Sequence, residues 1–370
     1  MRDHFYDRVL GCLTAASMGD AMGSATEQWA THEIVARYGA PIREFHVPPP
    51  DSWSAGNKAA ELTDDASMMF ALAEAIVGAG GTLTTEQWVQ ALLHWADTSP
   101  MARMMGPSTS AVVQALREGR DPANVGTVYN TRRQVTRMGS TNGAAMRIAP
   151  AGLIHPGDVE GAVHEALVSC LPTHNTHIGI SAAAAIAAGV AEAITPGAGV
   201  YSVARACVRG ARLGEELGIR QARWIAGPSV PRRIELAISL AARAQSFMGA
   251  LELLRDYLGC SVAAAESVPV AIGLFVYAGG DPLESVAGGA NIGDDTDTIA
   301  CMAGALAGAL SGFRAIPPDL YRTLRAANDV DIEQIASGLA EVAAMRWSGG
   351  VAARAVSTGE VEAPASGEAV

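Results

Sequence analysis

Residues 294–298 read Asp294-Asp295-Thr296-Asp297-Thr298, three carboxylates and two hydroxyls in five positions. They stand directly before the apolar run Ile299-Ala300-Cys301-Met302-Ala303-Gly304-Ala305-Leu306, which reads as a buried helix. The arrangement recurs upstream, where Thr63-Asp64-Asp65 precedes Met68-Met69-Phe70-Ala71-Leu72-Ala73. One Asp at a helix start needs no special chemistry, because it caps free N–H groups and complements the dipole. Several carboxylates packed together repel one another, and a hard cation such as Mg²⁺ or Ca²⁺ relieves that repulsion. If the two clusters converge they make one metal site, but the pattern alone leaves capping and ligation both open. His174 and His177, with Cys170 just upstream, suggest zinc more weakly, since Pro172 intervenes and no fourth ligand is evident.

The elements that must position these residues are helices. Almost every long segment has helical spacing, and no series of alternating strands is found. The first helix is expected over residues 7–18, ending in a glycine-rich turn, Gly19-Asp20-Ala21-Met22-Gly23, followed by Glu27 and Trp29. Residues 38–62 lose the pattern through Pro48-Pro49-Pro50 and read as a long loop suited to a functional cover. Thr84 to Gln87 form a capping-box start for a helix through Trp88, Leu92 and Trp95. Gly139-Ser140-Thr141-Asn142-Gly143 leads into a helix that ends near Pro150, and its Gly and Asn content lets backbone N–H groups approach an anion. An Ala-rich helix is expected from His174 to about residue 194. Trp29 and Trp53 read as core residues by default, although either could stack on a base.

Composition narrows the class. The 370 residues carry a net charge of −12, which argues against nucleic acid or an anionic membrane as the main partner. Hydrophobic residues make up 49 % and aromatics only 5 %, so small side chains must fill a core of closely packed helices. The five cysteines, Cys12, Cys170, Cys207, Cys260 and Cys301, lie in apolar helical patterns and read as reduced core residues. No signal-peptide pattern and no stretch of bilayer-spanning length is found, so a soluble, cytoplasmic protein is expected. With no linker to divide the chain, residues 1–348 read as one all-α domain and residues 349–370 as a disordered tail rich in Ala, Glu, Gly and Ser.

Taken in order, residues 11–27 with Gly-Asp-Ala-x-Gly at 19–23, Thr63-Asp64-Asp65, residues 139–150, Thr173-His174 and residues 293–298 resemble the ADP-ribosylglycohydrolase family. The likeness is to members of the dinitrogenase reductase-activating glycohydrolase type. It looks especially like a bacterial branch with Thr-Asn-Gly-Ala-Ala-Met-Arg in place of a Gly-Asn-Gly form. One departure is Asp294, where the family usually has a second Gly. The resemblance implies an all-α orthogonal bundle with two Mg²⁺ ions (Mn²⁺ also suits the ligands) in a central cleft. By the same resemblance Thr63, Asp64, Asp65, Asp295, Asp297 and Thr298 would be metal ligands. Gly139, Thr141, Asn142 and Gly143 would hold phosphate or ribose, and His174 would border the substrate. Glu27 matches an acidic residue that approaches the metals.

The expected activity is a Mg²⁺-dependent glycohydrolase cleaving the C1 bond of an ADP-ribosyl conjugate. Vicinal ribose hydroxyls can bridge two ions, and cleavage builds oxocarbenium character that a carboxylate assists. Glu27 is the expected proton-transfer group, with Asp64 or Asp295 orienting the attacking water. The alternatives are a smaller ribosyl substrate, such as a nucleoside or ribosyl phosphate, and a non-catalytic ADP-ribose-binding protein. Leaving group, anomer and oligomeric state are not legible.

Overall fold

A computed structural model of the protein describes residues 1–121 and 138–358. Its described residues form helices joined by turns, with no strand beyond two isolated bridges. In chain order the first helices are α1 (Arg2–Gly23), α2 (Thr31–Tyr38), α3 (Asp64–Gly78), α4 (Thr85–Thr98) and α5 (Pro107–Arg117). The one-turn α6 (Gly143–Met146) and short α7 (Ala149–Leu153) follow, then α8 (Val159–Cys170), α9 (His177–Ala193), α10 (Val200–Gln221) and α11 (Val230–Ala241). The chain continues through α12 (Phe247–Leu258), α13 (Ala264–Tyr277), α14 (Pro282–Ile292), α15 (Thr296–Ser311), α16 (Pro318–Ala327) and α17 (Ile332–Thr358). The all-α expectation is met. The last helix runs past residue 348, and the remainder of the expected tail, residues 359–370, lies outside the described residues.

The centre of the molecule is the pair α1 and α15, and glycine makes that pair possible. Gly11, Ala15, Gly19 and Gly23 recur at every fourth position of α1 and therefore share one face. A Cβ on Gly19 would fall 2.2 Å from the Ala300 carbonyl oxygen, and one on Gly23 2.4 Å from Cα of Asp297. From the other side, a Cβ on Gly304 would fall 2.3 Å from the Ala15 oxygen and one on Gly308 2.1 Å from the Gly11 oxygen. The two helices thus meet backbone to backbone along matching i, i+4 rows. This corrects the expected turn at residues 19–23. Those glycines continue α1 to Gly23, because the contact they make with α15 offsets the weak helix propensity of Gly.

Other boundaries shift for identifiable reasons. Helix α9 starts at His177, not His174, because the Thr176 hydroxyl accepts from the Gly179 N–H and provides the cap. Helix α6 stops at Met146, before Pro150 as expected, and Pro150 falls in the first turn of α7, where its missing N–H is not needed. The capping box at Thr84 and Gln87 is present at the start of α4. The long loop before α3 is clamped by side-chain amides. Asn291 holds both backbone groups of Ile42, and Asn328 holds the Leu62 N–H and the Ala60 carbonyl.

Candidate metal centre and cleft

Helix α1 delivers Asp20 to the start of α3. The Asp20 carboxylate accepts from the Thr63 hydroxyl, the Thr63 N–H at 2.9 Å and the Ala66 N–H at 3.2 Å, so it caps α3 from outside. The glycine contact places Asp297, in the first turn of α15, beside the same helix start. One oxygen each from Asp20, Asp65 and Asp297 lies within 4.8 Å of the others, the grouping of three potential ligands found among the described residues. Asp20 is the residue that sequence reasoning missed. Its signal was present, because it adjoins a glycine stripe whose four-residue spacing continues the helix.

A cleft of about 320 Å³ opens above this cluster. Its floor holds Asp64, Asp65, Asp295, Asp297 and Thr298, and Glu27, Thr141, Asn142 and Gly143 stand at its sides. Trp53, Met104, Pro107 and Val262 form an apolar rim. Trp53 is 50 % exposed, which corrects its expected place in the core. Its indole N–H donates to the Met104 carbonyl at 3.3 Å and fixes one edge of the ring. Trp29 is partly buried beneath the Arg37 guanidinium, 4.5 Å from the ring centre.

Three expected site residues stand behind this surface rather than on it. Thr63 is fully buried; its hydroxyl donates to Asp20 and its oxygen accepts from the Asp65 N–H at 3.2 Å. His174 is fully buried, with Nε2 2.9 Å from the Thr141 hydroxyl and Nδ1 2.9 Å from the Thr173 hydroxyl. Gly139 has a φ of +76° and turns the chain ahead of the lining residues, its carbonyl accepting from the Thr176 hydroxyl. Asn142 faces two ways. Its backbone N–H pairs with the Val262 carbonyl, while its side-chain amide donates to Asp295 and to the Ser267 hydroxyl.

Asp294 explains itself by conformation. Its φ of +57° is left-handed, where Gly is easiest and Asp is among the better tolerated residues. Its backbone exchanges hydrogen bonds with Gln28 and Trp29, tying the Glu27 segment to the turn before α15, while its side chain faces solvent.

The electrostatics of the floor are those of an uncompensated acid cluster. Burial, then Asp297, Asp295, Asp64 and Asp20, push the Glu27 carboxyl up to about 10. Burial and then Asp297 raise Asp295 to about 8, and burial and then Asp20 raise Asp297 to about 7. Asp64 and Asp65 are held well above the ordinary carboxylate range by burial and then Asp297. Asp65 Oδ2 and Glu27 Oε2 are buried with no hydrogen-bond partner. No lysine or arginine is among the described residues lining the cleft. The grouped carboxylate oxygens of Asp20, Asp65 and Asp297, with Asp65 Oδ2 buried and unpartnered, form a donor set suited to a hard cation.

Comparison with known proteins agrees with this architecture. Residues 1–349 match the family model described as ADP-ribosylglycohydrolase. The chain is 31 % identical over 338 residues to YegU, a protein described as uncharacterized from Escherichia coli (strain K12), covering 90 % of this chain and 97 % of that one. It is 26 % identical over 347 residues to ADP-ribosylhydrolase ARH3 of Bos taurus, covering 88 % and 90 % of the two chains. A solved structure, an ADP-ribosylglycohydrolase-related protein complex, superposes with a TM-score of 0.65 at 21 % identity, over 92 % of this chain and 99 % of that one.

Proposed function

The chain belongs to the ADP-ribosylglycohydrolase family, and from that premise we propose that it hydrolyses the C1 glycosidic bond of an ADP-ribosyl conjugate with the help of Mg²⁺. The observation that carries the reading is the buried Asp20, Asp65 and Asp297 group with the unpartnered Asp65 Oδ2 at the cleft floor. Thr63, Asp64, Asp65, Asp295, Asp297 and Thr298, joined by Asp20, are the proposed holders of two ions, with Mn²⁺ an acceptable replacement. When bound, the metal supplies positive charge that neutralises the carboxylates and draws the vicinal hydroxyls of a ribose to the floor.

The remaining work belongs to the side chains. Thr298 and the Asn142 amide hydrogen-bond Asp295 and fix its orientation. Asp64 and Asp295 line the floor where an attacking water must stand to reach C1. Glu27 is the proton-transfer group. As a carboxylate it takes a proton from the water that adds to C1, and as an acid it gives one to the departing nitrogen or oxygen. Trp53 and the apolar rim exclude solvent from one side of the reacting bond. ARH3, by its name, acts on ADP-ribosyl linkages, and this chain is read as doing so too.

A second reading, hydrolysis of a smaller ribosyl compound, gains support from the modest cleft volume and from the lack of cationic side chains among its described lining residues. A diphosphate would rely on the metals and backbone N–H groups alone. Among the described residues no helix is long and apolar enough to cross a membrane; a cytoplasmic location is part of the proposal.

Titration calorimetry tests the reading, using ADP-ribose, ribose and adenosine in turn, each with and without Mg²⁺. The expected result is ADP-ribose binding that needs Mg²⁺ and disappears in the Asp295→Ala, Asp297→Ala double variant. Binding of ribose or adenosine but not ADP-ribose would move the assignment to the smaller substrate. Metal-independent binding would sink the metal-centred reading.

A further inference from the structure

Behind the cleft wall lies a chain of side chains whose donors and acceptors can be ordered. Arg147 is fully buried, and none of its hydrogen-bond partners is a carboxylate. One of its nitrogens donates to the Gly143 carbonyl at 2.6 Å and another to the Thr173 hydroxyl at 2.7 Å. The Thr173 hydroxyl lies 2.9 Å from His174 Nδ1, and His174 Nε2 lies 2.9 Å from the Thr141 hydroxyl. Thr141, partly exposed, lines the cleft, and its hydroxyl has no other partner among the described residues. The chain begins at a guanidinium and ends at the substrate side.

A guanidinium only donates, so the Thr173 oxygen must accept from Arg147. His174 is neutral, because burial and then the Arg147 charge push it down to about 3, so exactly one ring nitrogen carries hydrogen. With hydrogen on Nδ1, the Thr173 oxygen would accept twice and its own buried hydroxyl hydrogen would have no acceptor. That arrangement carries the cost of an unmatched buried donor. With hydrogen on Nε2, Thr173 donates to Nδ1, His174 donates to Thr141, and every buried group is matched. The Thr141 hydrogen is then free to turn into the cleft.

We infer that Arg147, Thr173 and His174 form a one-way relay that presents the Thr141 hydroxyl to the substrate as a hydrogen-bond donor. It takes a substrate atom that only accepts, a phosphate, carbonyl or ether oxygen. In this arrangement His174 is a positioning residue. The inference rests on the reading of this cleft as the substrate site.

Nitrogen NMR on the full chain with ¹⁵N-labelled histidine reads the relay directly, with His174 assigned by the loss of its signals in His174→Gln. The expected result is a protonated Nε2 and a bare Nδ1 that stay unchanged between about pH 5 and 8, where an ordinary histidine titrates. A hydrogen on Nδ1 overturns the inference. Calorimetry with Mg²⁺ and ADP-ribose reads the consequence. Thr141→Val should weaken binding roughly tenfold, the weight of one hydrogen bond to a charged acceptor, and Thr141→Ser should restore it. Equal affinity of wild type and Thr141→Val also overturns the inference. If wild type binds no ADP-ribose, the functional reading falls, and the His174 tautomer still decides whether the relay exists.

Discussion

At the scale of single residues, the acid cluster is defined by what its members lack. Asp65 Oδ2 and Glu27 Oε2 have no partner, and the neighbouring carboxylates raise one another's proton affinity. The pH dependence follows with a definite sign. Asp20, Asp297 and Asp295 are raised to about 6, 7 and 8, chiefly by burial, above the unfolded value of about 3.9. Folded protein therefore binds more protons than unfolded protein over that interval. For metal-free protein this contribution to stability is fully present below about pH 4 and is lost as pH rises through about 6 to 8. A cation requires the deprotonated form, so Mg²⁺ affinity should rise across the same window. Melting curves of metal-free protein from about pH 5 to 8.5, with a Mg²⁺ titration at each pH, check both trends. A metal-free melting temperature that rises through the window, or Mg²⁺ affinity that falls, would contradict the account. Residue types were legible at Asp64, Asp65, Asp295 and Asp297 because each stands beside a helix start. Asp20 was harder to read: the four-residue glycine spacing beside it marks a helix face, but what that face meets is not local, and without the partner helix the segment reads as a turn.

At the scale of elements, the small-residue face between α1 and α15 decides whether the site can assemble. A methyl group on Gly19 would meet the Ala300 backbone at 2.2 Å, and a backbone inside a packed helix cannot move aside cheaply. Gly19→Ala should therefore destabilise by about 1–3 kcal/mol or more, against the small gain in helix propensity. It should also displace Asp20 and Asp297 from each other and weaken Mg²⁺ binding. Gly78→Ala is the control. It ends α3 with nothing within 4 Å of the added carbon, so its effect should be near neutral. Urea unfolding of both variants separates the two cases, and a Gly19→Ala protein as stable as wild type would remove glycine packing as the organising contact. Helix type and the Thr84 cap were readable from spacing. The ends of α1 and α9 were not, since a Gly can stop a helix or admit a neighbour, and which of these happens depends on what packs there.

At the scale of the whole molecule, the proposed ligands come from α1, the start of α3 and the start of α15, far apart in the chain. A cation held by all three ties distant segments together only in the folded state, so it stabilises the protein globally. Mg²⁺ at about a hundred times its dissociation constant should add about 2.7 kcal/mol, seen as a melting temperature several degrees higher. Asp65→Ala with Asp297→Ala should abolish the increment, and an unchanged increment in that variant would place the ion elsewhere. The sequence by itself determined the helical class, the small-residue core and the Asp and Thr types at two helix starts, because periodicity and capping are local properties. It also carried the ordered motifs by which the family was recognisable. Only the tertiary structure decided that Asp20 joins the cluster, that Trp53 stands at the rim, and that His174 lies behind Thr141 instead of in the cleft. Those outcomes depend on which faces meet across hundreds of residues, and a period in the chain can mark a face without naming the face it meets.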